Sequence, residues 1–165
     1  MRFQHLFLCV VIPVLGACSA TLPNNASVPI DKRSTLVTVP MTPVSIGCVG
    51  HEGVSYIHAF YVKEPFSEYM AGGISCGGTS ASGYILPTQW QPGMKVKVRW
   101  NRPIKGEDNW IEKTTTIRRY ERAGTLTVHF FANDEVRVVS SARYAPESPM
   151  HPLPKSVTIA PPEEE

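Results

Sequence analysis

No stretch of this 165-residue sequence is apolar for long enough to cross a bilayer. The longest apolar run, Leu6 to Leu15, would reach about 15 Å as a helix, roughly half the hydrocarbon thickness. Charge of one sign is missing as well: 16 Lys and Arg stand against 14 Asp and Glu, a formal net charge of +2. That balance gives no strongly basic face of the kind nucleic-acid binding calls for. Sustained helical periodicity is absent, which argues against a helical bundle. Charged residues make up only 18%, but 42% of the chain is hydrophobic, so disorder throughout is not expected. What is abundant is Pro (15) and Gly (12), the composition of a loop-rich β protein of about one domain.

The N-terminus carries an address. Met1-Arg2, the apolar run and the closing Leu15-Gly16-Ala17-Cys18 have the layout of a secretory signal. The closing tetrapeptide resembles the lipobox of bacterial lipoproteins, in which small residues admit the chain to a membrane peptidase and the cysteine thiol accepts a diacylglyceryl group. Residues 1–17 are therefore expected to be removed and Cys18 to become the acylated first residue. Acyl chains contribute about 0.8 kcal/mol per buried CH₂, enough for a multiply acylated cysteine to be held essentially permanently. Ser19, a residue other than Asp at the sorting position, favours the periplasmic face of the outer membrane. Residues 18–40, rich in Ser, Thr, Asn and Pro, read as a lipidated N-terminus and tether.

Beyond the tether, residues 41–155 show short strand signals between turn residues. Val96, Val98 and Trp100 alternate with Lys95, Lys97 and Arg99, a half-buried strand. Val54 to Val62 has β-branched and aromatic residues on both faces, as an interior strand would. Thr125 to Phe131 and Glu135 to Ser140 flank Asn133-Asp134, a pair suited to a tight turn, which predicts a hairpin. With Val44 to Val49, Gly83 to Leu86 and Trp110 to Arg118, about seven strands are expected, packed as an antiparallel two-layer β-sandwich. Residues 156–165, ending Glu163-Glu164-Glu165, are expected as an extended, solvated acidic tail.

The candidate chemistry is sparse. Cys48 and Cys76 are the cysteines left once Cys9 departs and Cys18 is acylated, and in an oxidising compartment such a pair is most simply a disulfide. The rival reading is a metal site built from Cys48, His51 and Cys76, for which a lone Cys-x-x-His is a weak signal. Gly73-Ile74-Ser75-Cys76-Gly77 matches the G-x-S-x-G nucleophile elbow. An elbow requires a strand before the serine and a helix after it, and the flanking sequence promises neither, so a flexible glycine loop is expected. His51, His58 and His129 read as structural residues, and His51-Glu52 lacks the further histidine of the zinc-protease helix. Lys95, Lys97, Arg99, Arg118, Arg119 and Arg122 form either a solvated face or a surface for an acidic partner or anionic headgroups. No catalytic set, cofactor motif or metal site is expected.

An ordered series of segments then carries a resemblance: Val44-Ser45-Ile46-Gly47, Tyr56 to Val62, the Gly72 to Gly78 loop, Leu86-Pro87, Trp90 to Trp100, Val128 to Val138, and Ser148-Pro149-Met150-His151-Pro152-Leu153-Pro154. Over residues 43–155 the chain resembles a family of small proteobacterial lipoproteins catalogued as a domain of unknown function. Members of that family occur beside type VI secretion genes, next to phospholipase effectors, where they are taken to be immunity proteins. The resemblance implies a binding role, with a cognate lipase effector as protein partner and no chemistry. Two departures stand out: Ser75 precedes Cys76 where members often have two adjacent cysteines, and Gly50-His51-Glu52-Gly53 replaces a polar aromatic segment. A partner-specific loop is expected at the second, and the contact is expected on Gly50 to Gly53, the Gly72 to Ser82 loop and Trp110, with His51, Glu52 and Trp110 the candidate contact residues. The alternative is an accessory or structural envelope lipoprotein that binds no effector.

Overall fold

The computed structural model describes residues 38–164. The signal, Cys18 and most of the tether lie outside the described residues. Eight strands follow in chain order: β1 Met41–Gly50, β2 Ala59–Lys63, β3 Met70–Ile74, β4 Ser80–Pro87, β5 Lys95–Asn101, β6 Trp110–Thr116, β7 Thr125–Phe130 and β8 Val136–Ser141. They form two four-stranded sheets, ordered β4-β1-β7-β8 and β3-β2-β5-β6, stacked as a β-sandwich. One 3-10 turn, Ala132–Asp134, links β7 to β8, with Asn133 and Asp134 both at positive φ as the Asn-Asp pair predicts.

Two-residue periodicity builds the core. On β5, Val96, Val98 and Trp100 point inward and are buried. They meet Phe60 and Val62 of β2, and across the gap Ile46, Leu126, Val128 and Phe130 of the other sheet. Trp100 and Phe60 each pack against the Phe130 ring, with centroids 5.3 and 5.9 Å away. The buried Tyr84 hydroxyl on β4 donates to the Lys63 carbonyl on β2 at 2.8 Å, which joins the sheets while satisfying the phenol. Glu64 is also buried, where its carboxylate accepts from the Ile85 amide and the Ser67 hydroxyl.

Three strand expectations are corrected. The sandwich is not wholly antiparallel: β1 and β7 pair in parallel, from Ile46↔Leu126 to Gly50↔Phe130. A parallel pair needs a long crossover, and here the whole of β2 to β6 supplies it. The strand expected over Val54 to Val62 begins only at Ala59, because Ile57 plugs the core from irregular backbone while Tyr56 stays in solvent. β3 runs into the Gly72 to Gly78 segment expected to be a flexible loop. Its Gly72 sits at φ 135° in a bulge opposite Tyr61, where a Cβ would collide with the Phe60 carbonyl. The glycine therefore permits the strand rather than weakening it.

The acidic tail also departs from expectation. It is extended, but it belongs to a strap over the first sheet, in which Leu153 is buried against Phe131 and Val139, with Val157 and Ala160 packed beside them. Beyond these, Arg137 Nε donates to the Pro161 carbonyl at 2.6 Å and Thr115 donates to the Glu163 carboxylate at 2.9 Å. Arg118 pairs with Glu164. The outer face of this sheet is apolar at these positions and needs a cover, which the proline-rich chain supplies without competing for sheet hydrogen bonds.

Candidate functional site

The strand directions sort the loops onto two ends. Residues 51–58, 75–79, 102–109 and 131–135 lie at one end, whereas Pro40, where the chain enters the fold, lies at the other with residues 64–69, 88–94 and 117–124. The loops expected to contact a partner, Gly50 to Gly53 and the turn around Cys76, therefore meet at the end opposite the tether. Cys48 and Cys76 are disulfide-bonded there, with Cα atoms 5.5 Å apart, and tie β1 in one sheet to the turn after β3 in the other. Beside the bond opens a cleft of about 430 Å³ whose lining includes Val54, Tyr56, Gly77, Glu147 and Lys155.

A closed loop spanning 28 residues removes chain entropy from the unfolded state worth about 3 to 4 kcal/mol. Replacing Cys48 and Cys76 together with Ala should lower the unfolding free energy by about that amount, read by urea denaturation. An unchanged denaturation midpoint would show that the bond does not hold the two sheets together.

The structure separates the three candidate contact residues. Glu52 is exposed in the turn after β1. Trp110 is 39% exposed, but it opens β6 rather than a loop. Cross-strand pairing puts it on the outer face of the second sheet near Tyr61 and Arg99, with ring centroids 6.1 Å from Tyr61 and the Arg99 guanidinium 4.6 Å above the indole. A Trp, a Tyr and an Arg in mutual contact on an open face have the composition typical of binding hot spots. Tyr61 is not evident as a site residue in the sequence, and Arg99 stands out only as a member of the basic set, since alternation reveals only that each faces outward and says nothing of which strands pair. Tyr56, 64% exposed at the same end, was read as part of an interior strand.

His51 is corrected: it is buried and cannot contact a partner. Its ring stacks on Phe131 with centroids 3.9 Å apart, and its Nε2 lies 3.0 Å from Nδ1 of His129. The strap places His151 against the other side of His129, ring centroids 5.4 Å apart, while His151 Nδ1 is held by the backbone of Leu153. Burial pushes the His129 pKa down to about 2, with the neighbouring imidazoles adding to the shift. His51 and His151 are lowered too, mainly by burial. Backbone groups of Val157 and Lys155 partly oppose this at His51, as do those of Leu153 at His151. These carbonyls lie close to His51, yet its Nδ1 makes no hydrogen bond with them, and Nε2 of His129 and of His151 likewise have no partner among the described residues. The cluster is thus a set of neutral buried rings.

The alternative chemistries find no geometry. The two cysteines bond each other, and among the described residues no group of three His, Cys, Asp or Glu side chains is arranged to hold a metal ion. Ser75 does follow a strand, contrary to expectation, but a turn and then β4 succeed it rather than a helix. Its carbonyl accepts from the Thr79 hydroxyl at 3.0 Å, closing the turn that carries the chain from β3 in one sheet to β4 in the other, and not an elbow. The basic residues divide: Lys97 pairs with Glu112 at 2.8 Å, Arg118 with Glu164, and Arg99 with the Trp110 ring, whereas Arg119 lies at the tether end, 5.8 Å from the Trp90 ring centroid.

Against known proteins, residues 51–138 match a family model described as "Protein of unknown function (DUF3304)". No curated protein and no solved structure matches.

Proposed function

Since the chain belongs to the DUF3304 family of proteins of unknown function, we propose that it is a periplasmic lipoprotein that binds and neutralises a type VI secretion phospholipase effector. Cys18 carries the anchor in this reading, and Ser19 directs it to the periplasmic face of the outer membrane. The observation that carries the proposal is the grouping of Glu52, Tyr56 and the Tyr61–Arg99–Trp110 face toward the end opposite the tether. An anchored domain presents that end to whatever approaches its membrane. A delivered phospholipase must work on that same surface. Protection then needs no chemistry: a contact of ordinary size, about 800 Å² per partner, suffices to block an active site. Loop residues at the distal end are free to diversify while the strands keep the core, which suits one-to-one recognition.

The test is competition between siblings. A strain lacking this gene should lose viability against an armed parent, and the wild-type gene should restore it. Trp110→Ala should weaken protection at unchanged protein level, since truncating a central aromatic anchor costs about 2 kcal/mol or more, roughly thirtyfold in affinity. Normal competition by the deletion strain would instead support the reading of an accessory envelope lipoprotein that binds no effector.

A further inference from the structure

The end of the sandwich nearest the tether carries arginines that no carboxylate neutralises. Arg119, Arg122 and Arg143 form no ion pair among the described residues, whereas Arg102, Arg118 and Arg137 do and Arg99 lies over the Trp110 ring. The three line one cleft of about 660 Å³, together with Tyr144 and Met150, and Glu121 is the carboxylate among its lining residues. Thr88 joins that cleft to the chain entry point: its amide donates to the Pro40 carbonyl at 2.7 Å, and its own carbonyl accepts from Ala123 at 3.0 Å. Through Thr88 the cleft therefore reaches the residue at which the chain enters the fold.

The apolar side chains exposed at this end fit the same surface. Met150 is 65% exposed beside the arginines, and Phe66 is 60% exposed in a shallow apolar hollow that it shares with Val39, Met41 and Ile85. Guanidinium groups lining a cleft with Tyr144 and Met150, with Phe66 in a separate apolar hollow at the same end, match the border between headgroups and acyl chains, where one part of a surface is charged and wet and the rest apolar.

We propose that this cleft binds the headgroups of anionic phospholipids in the membrane that holds the anchor, so that the domain docks with its distal end facing outward. The inference rests on the proposed acylation of Cys18 and is independent of toxin binding. Whatever their conformation, the residues from Ser19 to Pro40 can span at most about 80 Å, so the cleft is always held at high local concentration over lipid. Each basic side chain brought to an anionic leaflet favours the docked state about fivefold, and three give on the order of 100-fold.

The test uses the full lipidated chain reconstituted in phosphatidylcholine vesicles with or without phosphatidylglycerol, followed by amide hydrogen exchange. Exchange in residues 117–123 and 142–144 should slow about tenfold or more in the anionic vesicles, while residues 51–58 should be unaffected. High salt should remove the effect, as should the combined changes Arg119→Gln, Arg122→Gln and Arg143→Gln. Equal exchange in both vesicles, or slowing that survives the triple substitution, would overturn the proposal. Slowing reproduced by inorganic phosphate over phosphatidylcholine alone would also overturn it, by identifying a free-anion site. Intact mass of the same sample reports acylation of Cys18 separately, so failure of docking is distinguishable from failure of the anchor.

Discussion

Removing residues 145–165 should leave a chain that no longer unfolds cooperatively at neutral pH. The truncation takes away Leu153 and uncovers Phe131 and Val139, all three buried in the intact protein. At about 1.5 to 3 kcal/mol for each such side chain, the loss is on the order of 5 kcal/mol or more, comparable with the whole stability of an ordinary domain. Lost bonds from Thr115, Arg118 and Arg137 to the strap add to it. A milder change separates packing from chain length: Leu153→Ala should cost about 2 to 5 kcal/mol in urea denaturation. A truncated chain melting within a few degrees of the intact one would show that the strap merely lies on the sheet.

Acid should unfold the protein through its histidines. His51, His129 and His151 are held neutral in the fold, with pKa values below the usual 6.5. The unfolded chain therefore binds more protons than the folded one once the pH falls below 6.5. The stability contributed by the neutral rings is complete above that pH and drains away toward the folded values. With His129 lowered to about 2, that ring alone removes about 4 kcal/mol by pH 3.5, at roughly 1.4 kcal/mol per pH unit. The other two shift in the same direction. Glu135, held low by hydrogen bonds from Lys113 and Arg137, adds its own loss in the carboxylate range. Comparing wild type with His129→Phe isolates the ring, since the variant should lose stability less steeply between pH 6 and pH 3.5. Identical pH dependence in the two proteins would contradict a neutral buried His129.

Where local pattern and tertiary demand agree, the sequence was legible. Val96, Val98 and Trp100 alternate because one sheet face is core, and the Asn133-Asp134 turn needs a backbone conformation those residues tolerate. The Cys48–Cys76 disulfide is legible from the cysteine count together with the oxidising compartment that the N-terminus leads one to expect. The rest depends on partners distant in sequence. β3 was hidden because Gly72 and Gly73 lack the side chains by which strands are read, although their backbone freedom is what the bulge requires. Residues 156–164 were read as solvated because the polar and proline-rich composition conceals Val157 and Ala160, which have an apolar sheet face to cover. His51 drew attention through its loop position, but the ring turns inward to His129, a residue 78 positions away that no local pattern connects to it. The same limit hid the meeting of Tyr61, Arg99 and Trp110, which only strand pairing creates.

The most direct measurement of the proposed function is titration of the purified full chain into its proposed cognate phospholipase effector, followed by calorimetry and by phospholipid hydrolysis. One-to-one binding in the nanomolar range is expected, as is common for specific complexes of standard interface size, with hydrolysis falling in step with occupancy and Trp110→Ala weakening both. Absence of heat together with undiminished hydrolysis at micromolar protein would contradict it.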